Sequence, residues 1–279
     1  MGLIYKNLLI AFLFSVLFQP SGIFGQQPEK WTSTQIYEGM EKLNFLGSVL
    51  YLAAHPDDEN TRLISWLANE KRANVVSLSL TRGDGGQNLI GTEMGPALGV
   101  LRTQELLAAR AIDGGKQFFS RAIDFGFSKH PDETLDIWGK EAILHDVVWA
   151  IRKWQPDVII NRFWHEYDPA LAGRMHGHHT ASAALSYEAF DLTAREDVFP
   201  EQLDFVQPWQ PKRLFFNMYS FFAPIGEDQL AEVRKTGLAT MDVGVFYPLK
   251  GKSNNEIAAE SRSMHKCQAF GTVGSRGSE

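Results

Sequence analysis

Two short clusters of potential metal ligands are the most informative features of this sequence. The first reads Ala-His-Pro-Asp-Asp-Glu at positions 54–59 and directly follows an apolar run over 47–54. The second places His176, His178 and His179 within four residues. A catalytic zinc ion usually takes three protein ligands and leaves one position for water. Together the two clusters indicate a hydrolytic metal centre, which neither cluster would indicate alone.

Within the first cluster, His55 and Asp58 are spaced so that both can face one cation, which leaves Asp57 as a base beside it. The alternative is that Asp57 or Asp58 only caps the next helix, as aspartate often does. The chain also repeats most of this motif as His-Pro-Asp-Glu at 130–133. Because no hydrophobic strand precedes that copy, we interpret it as a turn and the start of a solvated helix.

In the second cluster, His176 and His179 are three positions apart, so they point the same way at the start of a helix. One imidazole can bind the metal while the other acts beside it. The alternative is a histidine-rich surface loop without a functional role.

The rest of the chain alternates strand and helix patterns. Apolar stretches predict strands at 49–54, 75–80 and 158–163, with weaker candidates at 118–123 and 214–222. Helices are predicted at 31–44, 58–71, 96–112 and 140–154, and from about 180. This order predicts an α/β fold, a three-layer sandwich with a mostly parallel sheet and helices on both faces.

Ligands of parallel sheets bind outside the carboxyl ends of the strands. His55, Arg82, Asp84, Asp124 and the segment 161–165 all follow predicted strands, so we expect them at one edge of the sheet. The glycine-rich sequence at 81–86 lacks the Lys-Ser/Thr ending of a phosphate-binding loop. We therefore interpret it as a pocket-lining loop, with Arg82 and Asp84 as candidate substrate contacts.

The N-terminal 25 residues are predicted to be a secretory signal peptide. Lys6 is the only charge before a short apolar stretch at 8–18, and small residues follow it up to Gly25. An uncleaved anchor is the alternative. The prediction places residues 26–279 as one domain in the periplasm or outside the cell. The polar ending from Gly271 is either a frayed tail or the edge of an incomplete domain.

Composition and net charge limit the classes of molecule that the protein is expected to bind. The chain has 279 residues, of which 44% are apolar and 22% charged, as in ordinary globular proteins. Loss of Lys6 would change the formal net charge from −6 to −7. An acidic surface argues against nucleic acid and anionic membranes as partners. Cys267 is the only cysteine, so no internal disulfide stabilises the chain.

The two metal motifs resemble those of the PIG-L/LmbE family of zinc-dependent N-deacetylases, which includes the GlcNAc-phosphatidylinositol de-N-acetylases. The likeness runs from about Val49 to the C-terminal helix. It implies a Rossmann-like, LmbE-like fold and removal of an N-acetyl group from an amino sugar or its conjugate. It also implies zinc as the cofactor, although a His₂Asp donor set accepts Fe²⁺ or Co²⁺ as well.

Carried over by position, the resemblance implies that His55, Asp58 and His179 bind zinc and that Asp57 is the general base that activates water. His176 would stabilise the oxyanion of the tetrahedral intermediate or protonate the leaving amine.

The resemblance also implies substrate contacts outside these motifs. Arg102 stands where the family places a substrate-binding arginine, and the alternative is a solvated charge on a helix face. Asp124 is a further candidate because it follows a predicted strand, independently of the resemblance. His265 lies in a stretch that resembles a family helix with a His and a Gln near the site, so it either lines the pocket or is structural.

One residue departs from the family pattern. The family often has His-Pro-Asp-His at the second cluster, whereas this chain has His178 in place of the aspartate. The carboxylate that would keep His176 protonated is therefore absent, and a shifted pH optimum is one expected consequence. His178 itself is expected to be structural or to support a ligand.

Two rival functions stay open on sequence alone. One is a zinc amidase of the same family that cleaves a larger N-acyl group, which release of acetate would discriminate. The other is a non-catalytic glycan-binding domain, against which the presence of Asp57 and all three candidate ligands argues.

Overall fold

The computed structural model describes residues 30–167, 176–218 and 239–271. The chain divides into two compact units, one ending at Gly39 and the other beginning at Met40. The predicted signal peptide lies outside the described residues, as does most of the polar ending from Gly271. Within the described ranges, no helix combines the length and the apolar character needed to cross a membrane.

Helix α1 (Ser33–Lys42) begins in the first unit and falls within the predicted lead-in helix. The strands that follow are β1 (Ser48–Ala53), β2 (Asn74–Ser79), β3 (Lys116–Phe119), β4 (Val158–Asn161), β5 (Arg213–Phe216), β6 (Phe246–Tyr247) and β7 (Lys252–Ser253). The remaining helices are α2 (Thr61–Asn69), α3 (Pro96–Asp113), α4 (Pro131–Trp138), α5 (Lys140–Trp154), α6 (Gly177–Leu192) and α7 (Asn254–Arg262). Short 3₁₀ turns occupy Pro200–Asp204 and Lys266–Gln268.

The first five strands form one parallel sheet in the order β3-β2-β1-β4-β5. Central strand β1 pairs through Val49 with Val75 on one side and with Val158 on the other. From β1 the chain therefore adds β2 and β3 on one side of the sheet, and then adds β4 and β5 on the other side of β1. Such a reversal opens a crevice at the carboxyl ends of the two strands. The predicted α/β class is confirmed.

Both faces of the sheet are buried, which explains why its strands are continuously apolar. Leu50 and Leu52 point into a core formed with helices α4, α5 and α6. Val49, Tyr51 and Ala53 point to the opposite face, where they pack with helix α2. Alternate side chains of β1 thus pack against helices on opposite faces of the sheet. The carboxyl end of β1 lies at the crevice.

The predicted start of the helix after β1 is wrong by three residues. Helix α2 begins at Thr61 because the Asn60 side chain caps it, accepting a hydrogen bond from the Leu63 amide at 3.2 Å. Residues 54–59 consequently form a turn that precedes the helix, and neither Asp57 nor Asp58 is its N-cap. The third strand also lies earlier than predicted, at Lys116–Phe119 rather than 118–123.

The repeated His-Pro-Asp-Glu motif has the structure predicted for it. His130 is the N-cap of helix α4, and its Nδ1 accepts from the Asp132 amide at 3.3 Å. Nearly the same sequence therefore forms a helix cap at 130–133 and a turn that lines a cavity at 54–59.

Candidate active site

The turn at 54–59 is closed by its own side chains. The Asp58 carboxylate accepts from the His55 backbone amide at 2.7 Å, and the Asp58 amide donates to the His55 carbonyl at 3.3 Å. The turn also places Asp57 at φ 104°, a backbone conformation uncommon for a residue with a side chain. The result is that Asp57 and Asp58 both face the same cavity.

Asp58 lies between two imidazoles contributed by different elements. Its Oδ2 is 3.1 Å from His55 Nδ1 and its Oδ1 is 3.4 Å from Nε2 of His179 on helix α6. One ligand atom from each of the three residues lies within 4.8 Å of the others. Tetrahedral zinc with bonds near 2.1 Å has ligand edges of about 3.4 Å. The spacing and the His₂Asp chemistry of this set therefore fit a divalent cation.

A second set of imidazoles lies alongside. His55, His176 and His178 also bring ligand atoms within 4.8 Å of one another. That set shares His55, and His178 is fully buried and does not line the cavity. The set with Asp58 includes a carboxylate and all three of its residues line the cavity, so its chemistry suits a cation better than the three imidazoles do.

His178 supports His55 from behind. Its Nδ1 lies 2.9 Å from His55 Nε2 and 3.7 Å from Asp124. Because His55 Nδ1 faces Asp58, a proton on Nε2 shared with His178 leaves Nδ1 free for the metal. The residue that departs from the family pattern thus contacts a predicted ligand.

His179 is held by stacking and by close helix packing. Its ring lies parallel to that of Phe163, with centroids 3.7 Å apart. Gly177 lets the first turn of α6 approach the backbone of 128–130, and its amide donates to the Ser128 carbonyl at 2.7 Å.

The two adjacent carboxyl groups have opposite pKa shifts. Burial opposes ionisation of Asp58, yet His179 and His55 hold its pKa well below the ordinary value. Burial, followed by the charge of Asp58, raises the pKa of Asp57 to about 7. A bound cation would favour the ionised form of Asp57 and lower that value. The site thus pairs a charged ligand with a group suited to accepting a proton.

His176 is neutral in this environment. Burial, then His55 and His179, lower its pKa to about 3. Its Nδ1 accepts from the His178 amide at 3.2 Å as the N-cap of α6, which assigns the ring proton to Nε2. His176 is therefore a hydrogen-bond donor that lines the cavity, rather than a charged acid.

The cavity has a volume of about 460 Å³ and is open on one side. Besides His55, Asp58 and His179, the lining comprises Asp57, Gly85, Gly86, Gln87, Leu89, Arg102, Asp124, Gly126, Phe127, His176 and Gln268. Of the predicted substrate residues, Arg102 and Asp124 belong to this lining.

Arg102 is a buried cation in a glycine cradle. Its Nη2 donates to the Gln87 carbonyl at 3.0 Å, and within the described residues it has no carboxylate partner. A Cβ at Gly83 or Gly86 would lie 2.6 or 2.5 Å from Arg102 Nη1. The glycine-rich loop predicted to line the pocket thus makes room for a guanidinium.

Three predicted substrate contacts are not in the cavity lining. Arg82 is exposed and lies over the Phe119 ring, 5.7 Å from its centroid, and Asp84 packs against Gly99 of helix α3. His265 is fully buried, with Nε2 2.7 Å from Glu59 Oε1. Strand ends locate the edge of the sheet but do not fix side-chain direction, which is why these three side chains lie away from the lining. Their role as substrate contacts stays a prediction.

Several residues at the site carried no clear signal in the sequence. Leu89 and Phe127 line the cavity while remaining 61% exposed each. Arg262 donates from Nη1 to the Asp57 carbonyl at 2.9 Å. For Glu59 the signal was present, since it ends the first motif, but its role as a buried anchor depends on distant residues.

Comparison with known proteins agrees with this description. The sequence profile of the PIG-L family, described as GlcNAc-PI de-N-acetylase, matches residues 50–190, which include both metal motifs. A search of curated protein sequences gives no significant match.

Solved structures share the fold at low identity. N,N'-diacetylchitobiose deacetylase from Pyrococcus horikoshii has a TM-score of 0.53 and 16% identity, over 87% of this chain and 82% of that one. A conserved protein from Thermus thermophilus has a TM-score of 0.51 and 21% identity, over 80% of each chain. At these identities the likeness shows the fold alone.

Proposed function

The chain belongs to the PIG-L family of deacetylases, and from that premise we propose that it removes the N-acetyl group from an N-acetylated amino sugar or its conjugate in a metal-dependent hydrolysis. One observation supports this most directly. Asp58 lies between His55 and His179, and Asp57 faces the same cavity. A proposed metal ligand, Asp58, next to a proposed base, Asp57, suits hydrolysis of an amide.

His55, Asp58 and His179 would hold the cation, which we propose to be zinc, with Fe²⁺ or Co²⁺ compatible with the same donors. When bound, such an ion supplies Lewis acidity, which polarises a carbonyl and makes water more acidic.

Asp57 accepts the proton of the attacking water. A base is most effective when its pKa is near the working pH, and burial together with Asp58 raises the pKa of Asp57 toward that range. A new bond then joins the water oxygen to the acetamide carbon. The carbon–nitrogen bond breaks, and protonated Asp57 returns the proton to the nitrogen. The products are acetate and the amine, which takes up the proton that the new carboxylic acid loses.

His176 stabilises charge on the former carbonyl oxygen. A neutral imidazole donates its N–H without changing its own charge, and preorganised donors of this kind lower a barrier by roughly 3–4 kcal/mol. Of the two roles that the sequence left open for His176, we propose the oxyanion donor.

Arg102 and Asp124 would orient the sugar. Both are more than 90% buried yet line the cavity, so each presents a polar edge to a bound molecule. We propose a small molecule or glycan that carries an N-acetyl group as the substrate. We also propose export to the periplasm or the extracellular space, on the basis of the sequence of residues 1–25.

Metal content and acetate release test the proposal together. Wild-type protein should contain one equivalent of metal and release acetate from N-acetylglucosamine conjugates. His179→Ala should lose both properties, and Asp57→Ala should keep the metal but lose turnover. His130→Ala is the matched control, because His130 belongs to the repeated motif without a strand and should leave both unchanged. Full turnover by Asp57→Ala would exclude Asp57 as the base.

A larger acyl group is the second candidate substrate. Exposed Leu89 and Phe127 at the cavity offer apolar surface that an acetyl group does not need. Rates on N-acetyl and N-octanoyl glucosamine conjugates would separate the two. Preference for the longer chain would assign an amidase of the same mechanism.

A further inference from the structure

Asp57 has a backbone conformation that its own sequence does not favour. Its φ of 104° lies where glycine is the usual residue. Sparsely populated conformations are energetically unfavourable and persist only where surrounding contacts over-determine them. The contacts that hold Asp57 at positive φ therefore also help to place its side chain.

Three groups bind Asp57, one at each of its polar ends. Its amide donates to Glu59 Oε2 at 2.8 Å, and its carbonyl accepts from Arg262 Nη1 at 2.9 Å. Its carboxylate oxygen Oδ2 accepts from Nε2 of Gln268. The backbone and the side chain are thus fixed at the same time.

Glu59 is itself anchored in the interior. Its Oε1 lies 2.7 Å from His265 Nε2 and 3.4 Å from Arg110 Nη2. Arg110 in turn pairs with Asp113, which accepts from the Ser261 hydroxyl at 2.7 Å. All of these side chains are buried, and an unpaired buried charge is strongly unfavourable. Glu59 therefore has little freedom to release the Asp57 amide.

Most of these contacts come from the end of the described chain. Arg262 ends helix α7, and His265 and Gln268 follow it, so all three lie beyond the matched residues 50–190. The Arg262 guanidinium is also fixed from its other side, by the Phe270 ring at 4.3 Å. We call Arg262, His265 and Gln268 the C-terminal clamp.

We propose that the C-terminal clamp positions Asp57 for catalysis, by holding its backbone at positive φ and its carboxylate in the cavity. This inference rests on the proposed function in one respect, that Asp57 is the base. Arg262 and His265 act through other residues and are positioning residues. Gln268 lines the cavity and contacts the reacting carboxylate.

Arg262→Ala is the principal test. Misplacement of a catalytic group by about 1 Å can cost 100-fold, so kcat should fall on the order of 100-fold. KM should change by less than about threefold, because ground-state binding is not affected. Metal content should be unchanged. Arg262→Lys should recover part of the loss, and free guanidinium should restore turnover to Arg262→Ala.

Two further variants complete the test. Gln268→Ala removes only the contact to the carboxylate and should lower kcat about tenfold, the equivalent of one hydrogen bond to a charged group. Lys266→Ala is the control, since Lys266 is exposed within the same segment and outside the clamp. It should behave as wild type.

Crystal structures of wild type and Arg262→Ala decide the positioning role independently of activity. Loss of positive φ at Asp57 in the variant supports the proposal, and an unchanged angle overturns it. Equal losses of metal and of kcat would also overturn it, because they would indicate general structural damage. If wild type releases no acetate, the proposed function fails, while the comparison of Asp57 angles still decides whether the clamp positions Asp57.

Discussion

His176 and His178 show how one replaced residue changes the chemistry available to its neighbour. An aspartate at 178 would favour the charged form of His176, whereas burial and the neighbouring histidines lower the pKa of His176 to about 3. His178 is also neutral, since burial followed by His55 and His176 lowers its pKa to about 2. The chain therefore has a donor at His176 that stays uncharged throughout the physiological range.

Glutamine and leucine at position 176 should give different activities. Glutamine can still donate an N–H, so His176→Gln should lose about tenfold in kcat, while His176→Leu should lose on the order of 100- to 1,000-fold. Steady-state kinetics with a fixed metal content would measure the difference. Equal loss in both variants would instead indicate that His176 transfers a proton.

Gly86→Ala should impair substrate binding through Arg102. The new methyl group would lie 2.5 Å from Arg102 Nη1, and the flexible side chain would move rather than the backbone. We expect KM to rise about tenfold, the effect of one charge-assisted hydrogen bond. The melting temperature should change little. An unchanged KM would remove Arg102 from the substrate contacts.

The sequence alone predicted which side chains gather at the cavity better for the two motifs than for the residues outside them. His55, Asp57 and Asp58 follow from local spacing next to a buried strand, whereas the choice of His179 came from the family resemblance. The structure brings all four together. The direction of the His265 side chain depends instead on Glu59, which is 206 positions away. No local pattern encodes a contact of that kind.

At the scale of elements, apolar continuity predicted the strands and the layer order, because strands buried on both faces have no alternating pattern. Helix ends were less predictable. Asn60 competes with Asp57 and Asp58 as a cap, and both residue types are suitable. Asn60 is the cap because both aspartate side chains point into the cavity instead of toward the helix.

Gly177 controls how closely helix α6 approaches its neighbour. A Cβ there would lie 2.5 Å from the His130 carbonyl oxygen and from Ser128 Oγ. Gly177→Ala should therefore lower the free energy of unfolding by about 1–3 kcal/mol, the usual cost of overpacking. It should also weaken metal binding, because His176 and His179 flank the displaced turn.

Denaturant unfolding and metal titration would measure these two effects of Gly177→Ala. Gly271→Ala is a control, because nothing lies within 4 Å of a Cβ built at that position. Intact metal affinity in a destabilised Gly177→Ala protein would show that the ligands tolerate movement of the helix.

At the scale of the whole molecule, Glu59 joins the site turn to helix α3 and to the chain after α7. Burial alone would raise its pKa, but His265 and Arg110 outweigh burial and lower the pKa to about 2 from 4.5. A carboxyl group with a depressed pKa stabilises the fold above its unfolded pKa. That contribution disappears as the pH falls through the folded value.

Acid should therefore destabilise the protein between pH 4.5 and pH 2, with Glu59 contributing about 3 kcal/mol. In Glu59→Gln, the free energy of unfolding should be lower at neutral pH and should depend less on pH within that window. Urea titrations of the metal-free protein at several pH values would measure this. Glu141→Gln, on the exposed side of α5, should keep the wild-type slope.

Cys267 lies between His265 and Gln268, and it is the only thiol in the chain. Burial, followed by Glu105, raises its pKa to about 11, so it is un-ionised and shielded while the segment is closed. Its alkylation rate therefore reports how often this segment opens, with no engineered label. The thiol is thus a built-in kinetic probe of how firmly this segment is held against the Asp57 turn, and removing the Arg262 guanidinium should increase its alkylation rate.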